Sequence, residues 1–448
     1  MASIVRRKNS ISIVYYDSRL IDSKTKKPKQ VWVSTTEGKA KEDKLRIELE
    51  LLQKSLPLHT SQTVEEFFNE WIEVYAPRNW SVKTYGTNKN LLKNHVYPVI
   101  GGVPLQKIAP KTLDALFAKL EGKHVKPPKG SKCNPDDMPY LSQKTLLLIY
   151  QVVNAGFNAA VGWELLRKNP LKCKKPTLEK PTEIIWTQEE LHDVLLDMER
   201  MGEDNAHMYY MKQLAALVCI SYYSLLRVGE AVGLTWDNIQ WDSHGIVIKK
   251  TLERVDKEAL KALPSRDIYH VFPSLNESCS TVLVLKSTKT EYSVRTNDLY
   301  PFLEKLLRKR YSEVHNNHLI LGKDYHNYNL VFCQRNGDPI EPKLCETWFN
   351  RWKKRTERKV PNIVYHRLRH SGVSYLMAAS NYNEKLVAAI AGHSTKELEK
   401  NRMTYHYTHI FKEERERLAA KVIQDEQYYS QKARGLLIEV PYKETYKN

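Results

Sequence analysis

The alternation of hydrophobic and polar positions divides the chain into a β-rich start, a helical part and a long mixed part. At the start, residues 10–16 and 30–35 alternate with the two-residue period of a half-buried strand, and a basic turn separates them. After Gly38, residues 39–55 form a charged stretch with helical spacing. We therefore predict a small three-stranded sheet with one helix over residues 1–56.

Helical spacing dominates residues 63–173, which follow a short linker. The first helix begins with the capping signal TVEE at Thr63, in which a hydroxyl and a carboxylate satisfy free backbone N–H groups. Three further helices are predicted at 81–95, 109–119 and 142–163. Residues 122–140 are rich in Lys, Pro and Gly, which predicts an inserted loop. The whole pattern predicts a helical bundle.

Residues 183–425 combine helical and strand patterns. Strands are predicted at 246–252, 280–287 and 293–298, with residues 253–279 as an extended connection within the sheet. Helices are predicted at 187–201, 207–224, 227–234, 299–311, 341–357, 367–380, 383–391 and around 400–424. This is the pattern of a mainly α domain with a small antiparallel sheet. The fold class is therefore α+β in several domains, and residues 426–448 form a C-terminal tail.

The composition narrows the class of partner. A length of 448 residues suggests two or three domains, and the formal net charge of +18 favours an anionic partner such as nucleic acid or a membrane surface. No run of 18 apolar residues is present, so we do not expect a membrane-spanning helix. The start MASIVRRKNS lacks the apolar centre of a signal peptide. Six scattered cysteines without a CxxC pair argue against a zinc ribbon or a disulfide scaffold and fit a reducing cytoplasm.

Basic residues in the first two segments are candidates for contacts with a phosphate backbone. A small sheet with a basic face is suited to binding in a DNA groove, whereas the alternative is a solvated accessory hairpin. In the helical segment, the alternative is that the lysines simply face solvent. The candidates are Arg6, Arg7, Lys26, Lys27 and Lys29 in the first segment, and Lys83, Lys89, Lys93 and Lys144 in the second.

The C-terminal half carries an ordered set of basic and hydroxyl residues that suits chemistry on a phosphate diester. Two arginine forks match phosphate oxygens bidentately and stay charged, so they can neutralise the charge of a pentavalent transition state. A lysine can protonate the leaving oxygen, and histidines can move protons or bond to the phosphate. A tyrosine, with a pKa of about 10, needs a base or cationic surroundings to attack. The set is Arg227, Lys289, His366, Arg369, His393 and Tyr407.

Each part of this set is weak when it is taken alone. An HxxR pair such as His366 and Arg369 occurs by chance in many surface helices, and RxxE is an ordinary helical pair. Glu230 lies three residues after Arg227 and is expected to hold it, and Arg295 is expected to pair locally. The order of the pieces, with strands and helices between them, is what indicates one site.

At these residues the chain resembles the tyrosine recombinases, or phage integrase family. SLLRVGEAVGLTW at 224–236 resembles the first arginine box, and VYHRLRHSGVSYLM at 364–377 resembles the second. AGHS followed by MTYHYTHI resembles the final histidine and nucleophile segment. Upstream, 63–173 resembles the core-binding domain, and 1–56 resembles the arm-binding domain of integrases from temperate phages and conjugative transposons. The catalytic domain is then 183–425.

The resemblance implies a role for each matching residue. Tyr407 would attack the phosphate and form a 3′-phosphotyrosine link, and Arg227 and Arg369 would clamp the phosphate. Lys289 would be the general acid, His366 would act as general base and acid, and His393 would bond to the phosphate. Neither a metal ion, another cofactor nor ATP is expected.

The partners implied by the resemblance are core and arm attachment sites on double-stranded DNA and three further copies in a tetramer, together with excision and host DNA-bending proteins. A bacterial, cytoplasmic enzyme acting on DNA is expected. The C-terminal segment 410–440 would dock on a neighbouring copy or on its own domain.

Two assignments stay open on the residues. The spacing from His393 to the tyrosine is long, so Tyr405 competes with Tyr407; the connection 253–279 is also long, so Lys286 competes with Lys289. Two other functions remain as alternatives. A non-catalytic DNA-binding regulator would not need the filled catalytic set, and a type IB topoisomerase would not need the first domain.

Overall fold

The computed structural model describes residues 2–7, 10–21, 28–55, 62–127, 133–178, 184–204, 210–263, 267–274, 278–288, 293–393 and 408–435. They form two compact units. The first comprises residues 1–80 and 87–179, and the second comprises 81–86 and 180–448.

The predicted N-terminal sheet and helix are confirmed. Three antiparallel strands lie in the order β1 (Ser3–Arg7), β2 (Ser10–Ile21) and β3 (Pro28–Thr35), and helix α1 (Ala40–Ser55) follows. Ile13 is fully buried. On an exposed part of the sheet the guanidinium of Arg7 lies 4.7 Å from the ring centroid of Trp32.

The predicted helical bundle is also present. Its helices are α2 (Val64–Asn79), α3 (Val82–Leu91, continued with wider turns over Leu92–Gly101), α4 (Pro110–Glu121) and α5 (Gln143–Gly162). Thr63 and Glu66 form the capping box that TVEE predicts. A Cβ at Gly156 would lie 2.3 Å from the ring of Phe68, so α5 and α2 can pack this closely only because residue 156 is glycine.

Helix α5 is the one helix in the described part of the chain with the length and composition of a membrane span. One face of it lies in the core of the bundle, through Leu146, Ile149, Val152, Val153, Gly156, Phe157 and Ala160. A buried apolar stripe of this kind is what the core helix of a bundle requires. The arrangement therefore indicates a core helix.

In its described residues, the second unit is mainly helical and contains two small antiparallel sheets. Its helices are α6 (Gln188–Asp204), α7 (Tyr210–Tyr223), α8 (Val228–Val232), α9 (Lys257–Ala262), α10 (Pro301–Leu321), α11 (Pro342–Lys353), α12 (Arg367–Ala379), α13 (Glu384–Ala391) and α14 (Thr408–Ala433). Its strands are β4 (Ile239–Gln240), β5 (Gly245–Ile248), β6 (Lys250–Asp256), β7 (Ile268–Val271), β8 (Thr281–Ser287) and β9 (Arg295–Asp298). The sheet orders are β4-β5-β9 and β6-β8-β7.

The prediction of an extended connection at 253–279 is wrong in part. Strand β6 continues to Asp256, whose carboxylate accepts the backbone N–H groups of Glu258 and Ala259 and so caps α9. Strand β7 then pairs with β8 at the edge of the second sheet. A helix of six residues and a strand of four are too short for their periodicity to stand out in a sequence.

Helix α7 is the centre of the second unit, and α12 packs directly against it. A Cβ at Gly372 would lie 2.2 Å from the carbonyl oxygen of Tyr222, so α12 can approach α7 this closely only through a glycine. The C-terminal helix α14 docks on its own unit, where Leu418 and Val422 are buried in the core and Arg415 pairs with Asp298 across 2.6 Å. The apolar run 435–440 lies almost entirely outside the described residues, which end at residue 435.

Candidate active site

The turn between α7 and α8 places Arg227 at the edge of the buried core. Leu225 has a φ of 50°, in the left-handed region that leucine rarely adopts, and its side chain is fully buried. Arg227 then caps α8. Its side chain is 39% exposed, which leaves the guanidinium accessible.

Glu230 fixes the orientation of Arg227, as the spacing predicts. Oε2 of Glu230 accepts the backbone N–H of Arg227 at 3.0 Å, and Oε1 accepts Nη1 of the same residue at 2.7 Å. Burial alone raises the pKa of Glu230, but the charges and hydrogen bonds of Arg295 and Arg227 outweigh burial and hold the pKa below its ordinary value. The carboxylate is therefore ionised at neutral pH.

Two further arginines approach the same carboxylate. Nη2 of Arg295 lies 3.0 Å from Oε2 of Glu230, and Nη1 of Arg369 lies 3.8 Å from it. Arg369 also donates to the carbonyl oxygens of Leu225 and Ala391. Burial lowers the pKa of Arg369, and the charge of Arg227 lowers it further. These contacts show that the two arginine boxes, distant in sequence, meet in one cluster.

The two predicted histidines lie beside this cluster. His366 directly precedes α12, and His393 follows Gly392, whose left-handed backbone ends α13. Burial lowers the pKa of both imidazoles; His370 adds to the effect at His366, and Arg369 adds to it at His393. Both histidines are therefore neutral near pH 7, when each can accept a proton.

A cavity of about 680 Å³ opens in front of Arg227 and His393. Its lining within the second unit also includes Lys286, Thr288 and Ser293. The hydroxyl of Thr288 is buried without a hydrogen-bond partner among the described residues. Arg369 does not line the cavity; it is 4% exposed and lies behind Arg227.

Lys286, which competes with Lys289, is engaged in a half-buried ion pair. Lys286 is on β8, and its Nζ lies 2.6 Å from Oε2 of Glu253, with 15% of the side chain exposed. The other oxygen of Glu253 lies 3.0 Å from Nζ of Lys83, which belongs to the same compact unit. Lys289, Tyr405 and Tyr407 lie outside the described residues.

The structure places most of the predicted phosphate-contacting residues on surfaces. Arg6, Lys83, Lys93 and Lys144 are exposed, Lys89 is half-buried, and Arg7 packs over Trp32. Lys29 is on β3, and Lys26 and Lys27 lie outside the described residues. That these lysines and arginines contact DNA remains a prediction.

Arg295 makes wider contacts than the sequence predicts. The sequence predicts local pairing, and Nη1 does donate to the carbonyl of Ser293 at 3.0 Å. Its other contacts reach Glu230 and the carbonyls of Leu225 and Ile390, which are 65 to 95 residues away. An arginine at an inward position of a short strand is the signal that could have indicated such a contact.

Two family models match parts of this chain. Residues 197–414 match the model of the phage integrase family, and residues 63–120 match that of the phage integrase N-terminal SAM-like domain. None of the curated proteins matches the chain significantly.

Among solved structures, the fold is similar to that of the Tn1549 transposon integrase. A fragment of that protein in complex with a circular intermediate DNA has a TM-score of 0.55 and 18% identity; the match covers 76% of this chain and 95% of the other. A fragment bound to transposon right end DNA has a TM-score of 0.54 and 18% identity, over 80% of this chain and 100% of the other. These structures show a shared fold, and the two family models show that the chain belongs to the phage integrase family of tyrosine recombinases.

Proposed function

We propose that this protein is a site-specific integrase that cleaves and rejoins DNA through a 3′-phosphotyrosine intermediate, with Tyr407 as nucleophile. The observation that supports it most is the convergence of Arg227, Arg295 and Arg369 on the single carboxylate of Glu230 beside a cavity. Three cations and one anion leave two positive charges, which suits one phosphate diester and its more highly charged transition state.

Arg227 would make the first contact with the phosphate. It is the most exposed of the three arginines and lines the cavity, whereas Arg369 is tied to backbone carbonyls behind it. A guanidinium held by Glu230 presents its remaining N–H groups in a fixed direction, which reduces the entropy lost on binding.

Because His366 is neutral, it can accept the proton of the nucleophile. As the Tyr407 oxygen attacks phosphorus, its proton passes to neutral His366, the new O–P bond forms, and the bond from phosphorus to the 5′ oxygen breaks. Lys289 supplies a proton to that leaving oxygen, and His393 donates a hydrogen bond to a phosphate oxygen. One phosphate ester replaces another, so the reaction conserves the bond energy and requires no ATP.

The biological role proposed is integration and excision of a mobile element, a phage or a conjugative transposon. The similar Tn1549 protein has been solved with transposon end and circular intermediate DNA, which favours substrates of that kind here. We propose core and arm sites as the DNA partners, a tetramer on two duplexes, and a bacterial cytoplasmic location.

A nicked suicide substrate tests the chemistry. The protein should become covalently linked to the 3′ end of the cleaved strand, in the presence of EDTA and without ATP. Tyr407→Phe should abolish the link and Tyr405→Phe should retain it; the opposite result would assign the nucleophile to Tyr405. A protein that binds the site but never forms the link would instead be a DNA-binding regulator.

Strand exchange between two sites separates an integrase from a topoisomerase. An integrase should join the halves of two attachment-site duplexes and accumulate a four-way junction. An enzyme that only relaxes supercoiled plasmid, with no dependence on attachment sequence, would show the topoisomerase alternative to be correct.

A further inference from the structure

Arg295 lies inside the arginine cluster but outside the cavity, and its contacts are unusually widespread. It is buried, with 6% of its side chain exposed. Nε donates to the carbonyl of Ile390 at 2.7 Å, and Nη2 donates to Glu230 at 3.0 Å and to the carbonyl of Leu225 at 3.4 Å. One guanidinium thus connects β9, the end of α13 and the turn that precedes Arg227.

A neighbour of Arg295 on the same strand makes part of the same connection. Asn297, two residues along β9, donates to the carbonyls of Ser224 at 2.8 Å and Ile390 at 3.1 Å. Alternate residues of a strand point to the same face, so both side chains hold the same two segments together. In the described part of the chain, only Arg295 of these two residues reaches Glu230.

The contact with Glu230 matters because several arginines bind or approach this one carboxylate. Oε1 bonds Arg227, while Oε2 faces both Arg295 at 3.0 Å and Arg369 at 3.8 Å. Without Arg295, Oε2 keeps the backbone N–H of Arg227 at 3.0 Å, and Arg369 at 3.8 Å is then the only guanidinium of the cluster that faces this oxygen. A carboxylate that turns toward Arg369 gives up its alignment with the guanidinium of Arg227.

We propose that Arg295 is a positioning residue for phosphate-charge neutralisation: by holding Oε2 of Glu230, it keeps Oε1 aligned with Arg227. Arg295 itself touches neither the cavity nor, by this proposal, the DNA. The inference rests on the function proposed above. It predicts a defect that depends on the charge of the scissile group, which a loss of stability alone does not produce.

The experiment compares two suicide substrates at saturating DNA, one with the natural phosphodiester and one with a neutral methylphosphonate at the cleavage position. Arg295→Met should slow covalent-complex formation on the phosphodiester by about ten-fold or more relative to the methylphosphonate. Arg295→Lys keeps the charge but not the fork, so its rate ratio should lie between those of Arg295→Met and the unsubstituted protein. Equal slowing of both substrates by Arg295→Met would overturn the proposal.

Two matched controls account for stability. Arg310→Met removes another buried arginine that binds backbone carbonyls, those of Val331 and Cys333, away from the cluster. Asn297→Ala weakens the shared clamp but leaves the contact between Arg295 and Glu230. Both variants should leave the ratio of the two rates unchanged, even where they lower the Tm. A ratio that falls equally in these controls would also overturn the proposal.

A structure of Arg295→Met provides a readout that does not depend on activity. The carboxylate of Glu230 should rotate, and the 2.7 Å contact with Nη1 of Arg227 should be lost. An unchanged contact would refute the positioning role. If the unsubstituted protein formed no covalent complex at all, the proposed function would fail, whereas this structure would still decide the role of Arg295.

Discussion

Nη1 of Arg227 donates to Oε1 of Glu230 across 2.7 Å, although 39% of the arginine side chain is exposed and only 3% of the glutamate side chain is. The pair therefore spans the boundary between solvent and core. Glu230, the buried partner, also lies close to Arg295 and Arg369, so one carboxylate brings together cations from three distant parts of the chain.

Neutralising this carboxylate should be costly. Glu230→Gln leaves three arginines close together without a counter-charge, and we expect the free energy of unfolding to fall by about 3 kcal/mol, as for a broken buried pair. Urea unfolding of the variant measures the loss. Glu313→Gln is the control, because Glu313 also pairs with an arginine but is 44% exposed; it should cost less than about 1 kcal/mol. Equal losses in both variants would contradict the central role of Glu230.

The pH dependence of stability should also report on Glu230. The pKa of this carboxyl is lower in the folded chain than its ordinary value of 4.5, so its contribution is fully present above pH 4.5. The contribution is lost as the pH falls through the lower, folded pKa. Urea unfolding between pH 6 and pH 3 should therefore show a steeper loss for the unsubstituted protein than for Glu230→Gln. Parallel curves would show that Glu230 titrates normally.

His366 and His393 predict a second pH range in which the free energy of unfolding changes, at higher pH than the range of Glu230. His366 and His393 have pKa values below the ordinary 6.5, so the folded protein resists protons that the unfolded chain takes up. Their contribution is complete above pH 6.5 and declines as the pH falls through that value toward the folded pKa. A double variant, His366→Asn with His393→Asn, should flatten the unfolding free energy between pH 7.5 and 5.5. A slope unchanged from that of the parent would contradict the pKa directions.

A chemical rescue experiment should distinguish Lys289 from Lys286 as the general acid. If Lys289 protonates the leaving oxygen, Lys289→Ala should cleave a normal substrate slowly and a 5′-bridging phosphorothiolate much faster, since a thiolate leaves without a proton. Lys286 is held by Glu253 at 2.6 Å, so Lys286→Ala should show no such selective rescue. Covalent-complex formation on the two substrates measures this. Selective rescue of Lys286→Ala alone would transfer the role to Lys286.

At position 225, substitution by glycine should destabilise the protein less than substitution by alanine, which reverses the usual order of stability. The backbone of Leu225 has a φ of 50°, which costs a residue with a Cβ about 1 kcal/mol or more, while its buried side chain packs on Gly372. Both Leu225→Ala and Leu225→Gly lose the side chain, at about 3 kcal/mol. Only glycine relieves the backbone, so Leu225→Gly should be the more stable variant by about 1 kcal/mol in urea unfolding. A less stable glycine variant would show that the turn is not strained.

Local patterns were sufficient to predict the main elements. Periodicity and the TVEE cap predicted the bundle of α2 to α5, and alternation predicted the strands at 10–16 and 30–35, because these signals arise between residues a few positions apart. Within 253–279 the same patterns do not predict α9 and β7, because both elements are too short to show a period.

What the sequence by itself determined is the set of residue types and their order: Arg227 with Glu230, then His366 with Arg369, then His393. Only the tertiary structure decided that Arg369 lies behind Arg227, that Lys286 is held by Glu253, and that Arg295 joins Glu230 from 65 residues away. The reason is physical. A buried arginine is stable only where carbonyls and carboxylates converge on it, and that convergence exists only once distant segments have packed together.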